Sequence, residues 1–407
     1  MVETKIQAGV RPSPRQRRSR KRRLQTTLTA FLALIALVVG GILWARGAFW
    51  APVSLRQEIG AGFTVPGNAP DLPWPAAGQS YIDVEGVGKL GSSGPANTPA
   101  PIASVTKTMT AYQVLLDHPL GPTDAGPTIT ISPALFDASR STSDDESGIE
   151  LRVGEQLTLR QALEGMLLPS AGNMARMLAA WDAGSVQAFV GRMNARARAL
   201  GMGHTSYADP AGIDSGSRST AADQVRLGET VLKNPTLAGI VNLKAERVPV
   251  AGTVTNTNHL LGLDGVVGIK TGSTSEAGGC LLFAVHIAVG GVPVTMVGAV
   301  LGQPGEPWTI LANAESASRT LIEAAEQSLV PVTAVRGREP VAVLRQRGHS
   351  DVALDAASGV TVVGWPSLAY RVSVSPGSGS SAQSLSVASA LEPGTIAGST
   401  RLSASAG

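Results

Sequence analysis

Residues 101–111 read PIASVTKTMTA, and the fold turns on what Ser104-Val105-Thr106-Lys107 is doing there. The apolar positions Val105, Met109, Tyr112, Leu115 and Leu116 recur at three-to-four spacing, which predicts a helix opening at Ser104 and running to about Leu116. On a helix, residues i and i+3 share a face, so the Lys107 amine folds back beside the Ser104 hydroxyl. The first helical turn also leaves backbone N–H groups unpaired and carries the positive end of the dipole. That field suits the negative oxygen of a tetrahedral intermediate. A buried lysine flanked by other cations loses its proton near neutral pH and acts as a base. Serine beside a base is the general arrangement for acyl transfer. Alone, Ser-x-x-Lys is loose enough to occur by chance in 407 residues.

Two other stretches add to it. After Pro169 comes Ser170-Ala171-Gly172-Asn173, on a turn between two helical segments. Further on, GIKTGSTSEAGG puts Lys270-Thr271-Gly272 at a strand end, followed by Ser273 and Thr274. Gly272 permits close backbone approach by a ligand. Lys270 brings a charge, and Thr271 and Thr274 bring hydroxyls, a set suited to a carboxylate.

Around these stretches the chain alternates helix and strand patterns. SYIDVEGVGKLGSS reads as an antiparallel hairpin. Thr158-Leu159-Arg160-Gln161 resembles a capping box before the helix LRQALEGMLL, which Pro169 stops. Helices are expected over about Met174–Trp181, over SVQAFVGRMNARARAL up to Gly201, and from a Ser219 or Thr220 cap to about Leu232. Strands follow in KAERVPV, DGVVGIKTG, GGCLLFAVHIAV and VPVTMVGAVLG, with Gly290-Gly291 as the turn between the last two. A helix from about Trp308 to Ser328 then returns over the sheet. The expectation is one mixed α/β domain of the α+β type over 76–330, an antiparallel sheet flanked by helices. Residues 331–374 read as a small β module, and the Ser/Gly/Ala-rich residues 375–407 as a disordered tail.

Composition divides the chain. Residues 1–23 hold nine Lys or Arg against Glu3 alone, a local charge of +8 against +3 for the whole chain. Residues 24–45 are apolar and helix-length, enough to cross a hydrocarbon core of roughly 30 Å. A basic run abutting its amino end keeps that end cytoplasmic. This argues against nucleic acid as the partner of the basic tail and for a single-pass type II membrane anchor, with the catalytic domain extracytoplasmic. The length of the apolar run favours an anchor over a cleaved signal peptide, for which Ala45-Arg46-Gly47-Ala48 offers small residues. Residues 46–75, rich in Pro and Gly, read as a linker. The single cysteine, Cys280, lies in an apolar strand and reads as a small buried hydrophobe. The five histidines are scattered without metal-ligand spacing. Asp144, Asp145 and Glu146 form an acidic run, read as a solvated loop.

Ser-x-x-Lys, Ser-x-Asn and Lys-Thr-Gly, in that order, mark penicillin-binding proteins and serine β-lactamases. The flanks VGEQLTLRQALEGMLLPSAGN, AFVGRMNARARALGMGHTSYADPAGID and VGIKTGSTSEAGG resemble D-alanyl-D-alanine carboxypeptidases of the low-molecular-weight penicillin-binding type over about 76–330. The resemblance implies a β-lactamase/transpeptidase-like fold with a helical subdomain. It implies a peptidoglycan stem peptide ending in D-Ala-D-Ala as substrate, β-lactams as covalent inhibitors, and no cofactor or metal. It implies that Ser104 attacks, Lys107 takes the proton, and Ser170 relays a proton to the departing D-alanine. Lys270 and Thr271 would hold the terminal carboxylate, and the amides of Ser104 and Ser273 the oxyanion. One position departs from the pattern. Aligning Ser170 puts Gly172 where the family has Asn, an amide that touches the tetrad lysine and the substrate backbone, and leaves Asn173 one place late. Asn173 is then expected to reach in by a local shift, or the amide is missing. The alternatives are an anchored serine β-lactamase, against which no Glu-x-x-Leu-Asn stretch follows the second motif, and a catalytically weak protein that binds cell-wall peptides.

Overall fold

The computed structural model describes residues 29–44, 54–140, 143, 146–346, 348–376, 383–391 and 398–404. The basic tail 1–23 and residues 24–28 and 45 of the expected span lie outside them. Residues 29–44 are helical, but no helix among the described residues is long and apolar enough to cross a membrane.

The centre is a five-stranded antiparallel sheet in the order Val266–Thr274, Gly278–Val289, Val292–Gln303, Gln79–Val84, Gly88–Ser93. Its middle strands read as continuous apolar runs because both faces are covered. Cys280, Leu282 and Ala284 join one core cluster. Their alternating neighbours Leu281, Phe283 and Val285 join the other. The helix Ile310–Ser328 covers the second face and Ala221–Leu232 the first. Within the latter helix a Cβ on Gly228 would come within 2.9 Å of Val297, so glycine lets the helix lie close on the sheet.

The remaining helices gather on the first face. Lys107–Asp117 follows a tight 3-10 turn over Ala103–Thr106, a turn later than the helix start expected at Ser104. Leu159–Leu167 begins with the expected capping box, Gln161 N donating to Thr158 Oγ1 at 3.2 Å and Thr158 N to Gln161 Oε1 at 3.0 Å. Gly172–Ala183 and Val186–Ala199 follow, and Thr220 caps Ala221–Leu232. Short helices over Pro133–Ser139 and Pro235–Val241 were not legible, each being only two turns long with no sustained apolar period.

Two expectations need correction. The linker and the tail both contribute strands to a seven-stranded sheet, in the order Ser54–Gln57, Pro340–Arg345, Val352–Ala356, Gly398–Ala404, Gln383–Ser389, Ala369–Pro376, Gly62–Thr64. The Ser-rich composition of the tail hid a short alternation, for in QSLSVAS the side chains of Leu385 and Val387 are fully buried between part-exposed neighbours. In the linker the strands are three and four residues long, too short for a period to show, and they sit at the two sheet edges where backbone pairing does the work.

The capping box is the device that starts the helix leading to Pro169. Thr158→Ala is expected to lower stability by about 1 kcal/mol, read as a lower urea midpoint at unchanged m.

Candidate active site

Ser104 sits inside the 3-10 turn and is 9% exposed, whereas Lys107, the first residue of the following helix, is fully buried. The Lys107 amine donates to Ser104 Oγ at 2.7 Å and to the Ala211 carbonyl at 2.8 Å. That carbonyl belongs to a loop whose shape is set by Asp209. Its carboxylate accepts from the backbone N–H groups of Gly212, Ile213 and Asp214 at 2.6, 2.9 and 3.2 Å. Thr110 fastens the helix to the same loop through the Pro210 carbonyl at 2.7 Å.

The strand Val266–Thr274 runs against this turn. A Cβ on Gly272 would stand 2.9 Å from Ser104 N and 3.0 Å from both Val105 N and Ile102 O, so only glycine lets the strand lie this close. Lys270 and Thr271 are each 2% exposed. The Lys270 amine donates to the Thr271 carbonyl at 3.1 Å and lies 3.4 Å from Thr271 Oγ1. The Thr257 and Thr271 hydroxyls pair at 2.6 Å, and Thr257 N donates to the Leu168 carbonyl at 3.0 Å. The end of the chain segment leading into the second motif, at Leu168, is thereby tied to Thr271 of the third through Thr257, a residue outside all three.

The other expected residues divide. Ser170 is 7% exposed and holds φ +63°, a left-handed conformation that serine adopts at a cost of about 1–2 kcal/mol. Ser273 lies one residue beyond Gly272 on the same strand, part-exposed. The Thr274 hydroxyl accepts from Ala277 N at 3.1 Å and so closes the turn into the next strand. Asn173 does not reach the lysine. Its Nδ2 donates to the Ile149 carbonyl at 2.7 Å and its Oδ1 accepts from Ile149 N at 3.2 Å. One residue of helix is about 100° of rotation, which turns this side chain to a different neighbour.

The space at position 172 is taken instead by Glu146. A Cβ built on Gly172 would collide with Glu146 Oε1. This corrects the reading of Glu146 as part of a solvated run: its side chain is 1% exposed and bidentate with Arg176, at 2.6 and 2.5 Å. Asp144 and Asp145 lie outside the described residues. No signal in the sequence pairs Glu146 with Arg176, thirty positions apart. Asp209 and Ala211 lie in YADPAGID, within one of the flanks that carry the family resemblance.

Burial pushes the Lys107 ammonium down to about 8 from 10.5, opposed by the charges of Glu146 and Asp209 and assisted by Arg176. Burial, then the charge of Lys107, holds Lys270 well below the usual lysine range. In its neutral form, an amine hydrogen-bonded to a serine oxygen can take that oxygen's proton and so generate a nucleophile. Among the described residues no group of His, Cys, Asp or Glu could hold a metal ion.

Comparison with known proteins places the chain among relatives. A family model described as Peptidase S11, D-alanyl-D-alanine carboxypeptidase, matches residues 71–303. A D-alanyl-D-alanine carboxypeptidase of Streptomyces sp. strain K15 is 34% identical over 259 residues, 60% of this chain and 86% of the relative. A D-alanyl-D-alanine endopeptidase of Pseudomonas aeruginosa is 33% identical over 268 residues, 64% of this chain and 81% of the relative. Among solved structures, the Streptomyces K15 DD-transpeptidase superposes with TM-score 0.52 at 29% identity, covering 65% of this chain and all of that one. Penicillin binding protein 5 from Haemophilus influenzae shares the fold at TM-score 0.58 and 21% identity, over 84% of this chain and 98% of its own.

A buried lysine with a lowered pKa weakens the fold wherever the unfolded chain holds a proton that the folded one resists. Between pH 8 and 10.5 the unfolded state binds more protons, so the stability of the native chain rises with pH across that window. Lys107→Met is expected to be more stable than the native protein at pH 7, by up to about 3 kcal/mol. The gap should narrow as pH climbs toward 10, read by urea unfolding across pH.

Proposed function

Because this chain belongs to the D-alanyl-D-alanine carboxypeptidase family, peptidase S11, we propose that its cleft removes the terminal D-alanine of peptidoglycan stem peptides through an acyl-enzyme on Ser104. The protein is a penicillin-binding serine hydrolase acting on D-Ala-D-Ala, and the observation that carries the assignment of its nucleophile is the buried 2.7 Å contact between Lys107 Nζ and Ser104 Oγ.

Lys107 takes the Ser104 proton as Oγ bonds to the carbonyl carbon between the two D-alanines. The amide N–H groups of Ser104 and Ser273 receive the oxygen that becomes negative. The C–N bond then breaks, and D-alanine leaves with a proton relayed through Ser170. Water, deprotonated by the same lysine, frees the acyl group. Lys270 and Thr271 hold the substrate carboxylate. An incoming anion favours the charged form of Lys270, so substrate binding itself restores the cation that burial disfavours. β-Lactams enter as substrate mimics and stop at the acyl stage.

The N-terminal segment is a membrane anchor in this reading. The uncharged run after a basic tail supports it, as does the helix over residues 29–44 with its large apolar side chains exposed. A single-pass type II orientation puts the catalytic domain outside the cytoplasm, beside its substrate.

Fluorescent penicillin is expected to label the native protein covalently and to leave Ser104→Ala unlabelled, and D-alanine is expected to appear when a stem pentapeptide is added. An unlabelled native protein would sink the enzyme reading. The acylation rate is expected to rise about tenfold per pH unit well below 8 and to level off above it, because only the neutral amine accepts the serine proton. A rate independent of pH between 6 and 8 would remove Lys107 from the role of base.

A further inference from the structure

Gly172 leaves the second motif without the side chain expected there, yet the place is not empty. Glu146 Oε1 stands where the Cβ of residue 172 would be. The carboxylate is held by both terminal nitrogens of Arg176, which projects from the same helix, and one of them also donates to the Ser139 carbonyl at 3.2 Å. The segment carrying Glu146 is fastened to that helix at two further points. Gly172 N donates to the Ser147 carbonyl at 2.8 Å, and Asn173 exchanges two hydrogen bonds with Ile149. A carboxylate over the first residue of a twelve-residue helix also meets the favourable end of its dipole.

This arrangement bears on Lys107. Four charged groups interact electrostatically with the amine: Glu146 from the 146–149 segment, Arg176 from the helix Gly172–Ala183, Asp209 from the 209–214 loop, and Lys270 from the strand. Of the charges acting on Lys107, Glu146 exerts the largest effect. Asp209 is occupied by three backbone N–H groups of its own loop, which leaves Glu146 as the carboxylate built into the motif position itself.

We propose that Glu146, clamped by Arg176, is a positioning residue for Lys107 that takes over the space and the electrostatic role left by the absent side chain at position 172. It touches neither substrate nor reacting atoms; held in the place of a side chain at 172, its charge favours the ammonium form of Lys107, whose aim is set by Ser104 and the Ala211 carbonyl. Glycine at 172 and glutamate at 146 are therefore one feature, each requiring the other. The inference rests on the reading of Lys107 as the base for acylation.

Two experiments test it on the full chain, with fluorescent penicillin as the probe. Glu146→Gln keeps the volume but removes the charge that favours the ammonium. The midpoint of the acylation-rate profile is expected to move down by about one pH unit; an unchanged midpoint would overturn the electrostatic role, since a purely structural glutamate would alter the rate without moving it. Gly172→Asn drives a side chain into Glu146 and is expected to slow acylation about a hundredfold. The double variant Gly172→Asn with Glu146→Ala vacates that space and is expected to recover at least about tenfold of the loss. A double variant as slow as Gly172→Asn alone would overturn the reciprocal packing. Failure of the native protein to label at all would instead count against the acyl-enzyme reading, so the two failures are told apart.

Discussion

Two lysine amines share the interior of one cleft, Lys107 wholly buried and Lys270 at 2% exposure, and the cost of taking them out of water constrains what surrounds them. An ammonium without partners would either hydrate or neutralise. The fold supplies acceptors from three separate pieces of chain: the Ser104 hydroxyl and the Ala211 carbonyl for one amine, the Thr271 carbonyl for the other. Those acceptors are themselves held by Asp209 and by the Thr257–Thr271 pair. The result is a set of amines solvated by protein rather than water, already oriented before a ligand arrives. Such preorganisation costs stability and brings the Lys107 ammonium down to about 8.

The sheet explains why distant motifs meet. Val266–Thr274 is an edge strand of the five-stranded sheet, and its free side faces the turn at Ala103–Thr106. An edge strand would ordinarily invite pairing with another chain. Here Gly272 lets the turn itself cover it, so that the same contact closes the sheet and builds the cleft. Covering both faces of the central strands leaves the edge as the place where polar chemistry reaches solvent.

Much of this was legible in the sequence, and what was missed has a physical pattern. The hairpin at 79–93, the capping box at Thr158, the Gly290-Gly291 turn and the long strands each depend on neighbours within a few residues, where period and turn chemistry speak directly. The tetrad geometry was legible for the same reason, since Ser104 and Lys107 are one helical turn apart. The strand Gly62–Thr64 depends on a partner in a far part of the chain, Ala369–Arg371; Gln383–Ser389 pairs with its chain neighbours Ala369–Pro376 and Gly398–Ala404, but its Ser-rich composition argues for disorder. Glu146 belongs to the same class. Its sequence neighbours suggest a solvated acid, whereas its burial follows from a guanidinium thirty positions later and from a missing Cβ at 172.

That last case shows how a motif position can keep its physics while losing its residue. What a side chain at 172 contributes is a volume at the start of a helix and a dipole beside a buried amine. Neither is tied to the covalent origin of the atoms. A glutamate arriving from the 146–149 segment fills the volume and brings a full charge in place of a dipole, so it must be restrained more firmly, because an unclamped carboxylate beside an ammonium would collapse into a direct ion pair and hold the proton where it is not wanted. Arg176 prevents this by occupying both carboxylate oxygens, and its own positive charge offsets part of the pull on Lys107. The offset of Asn173 then has a reason as well. An amide one place later in the helix points at Ile149 and pins the segment from which Glu146 projects, so the residue that fails to reach the cleft steadies the one that fills the space at 172.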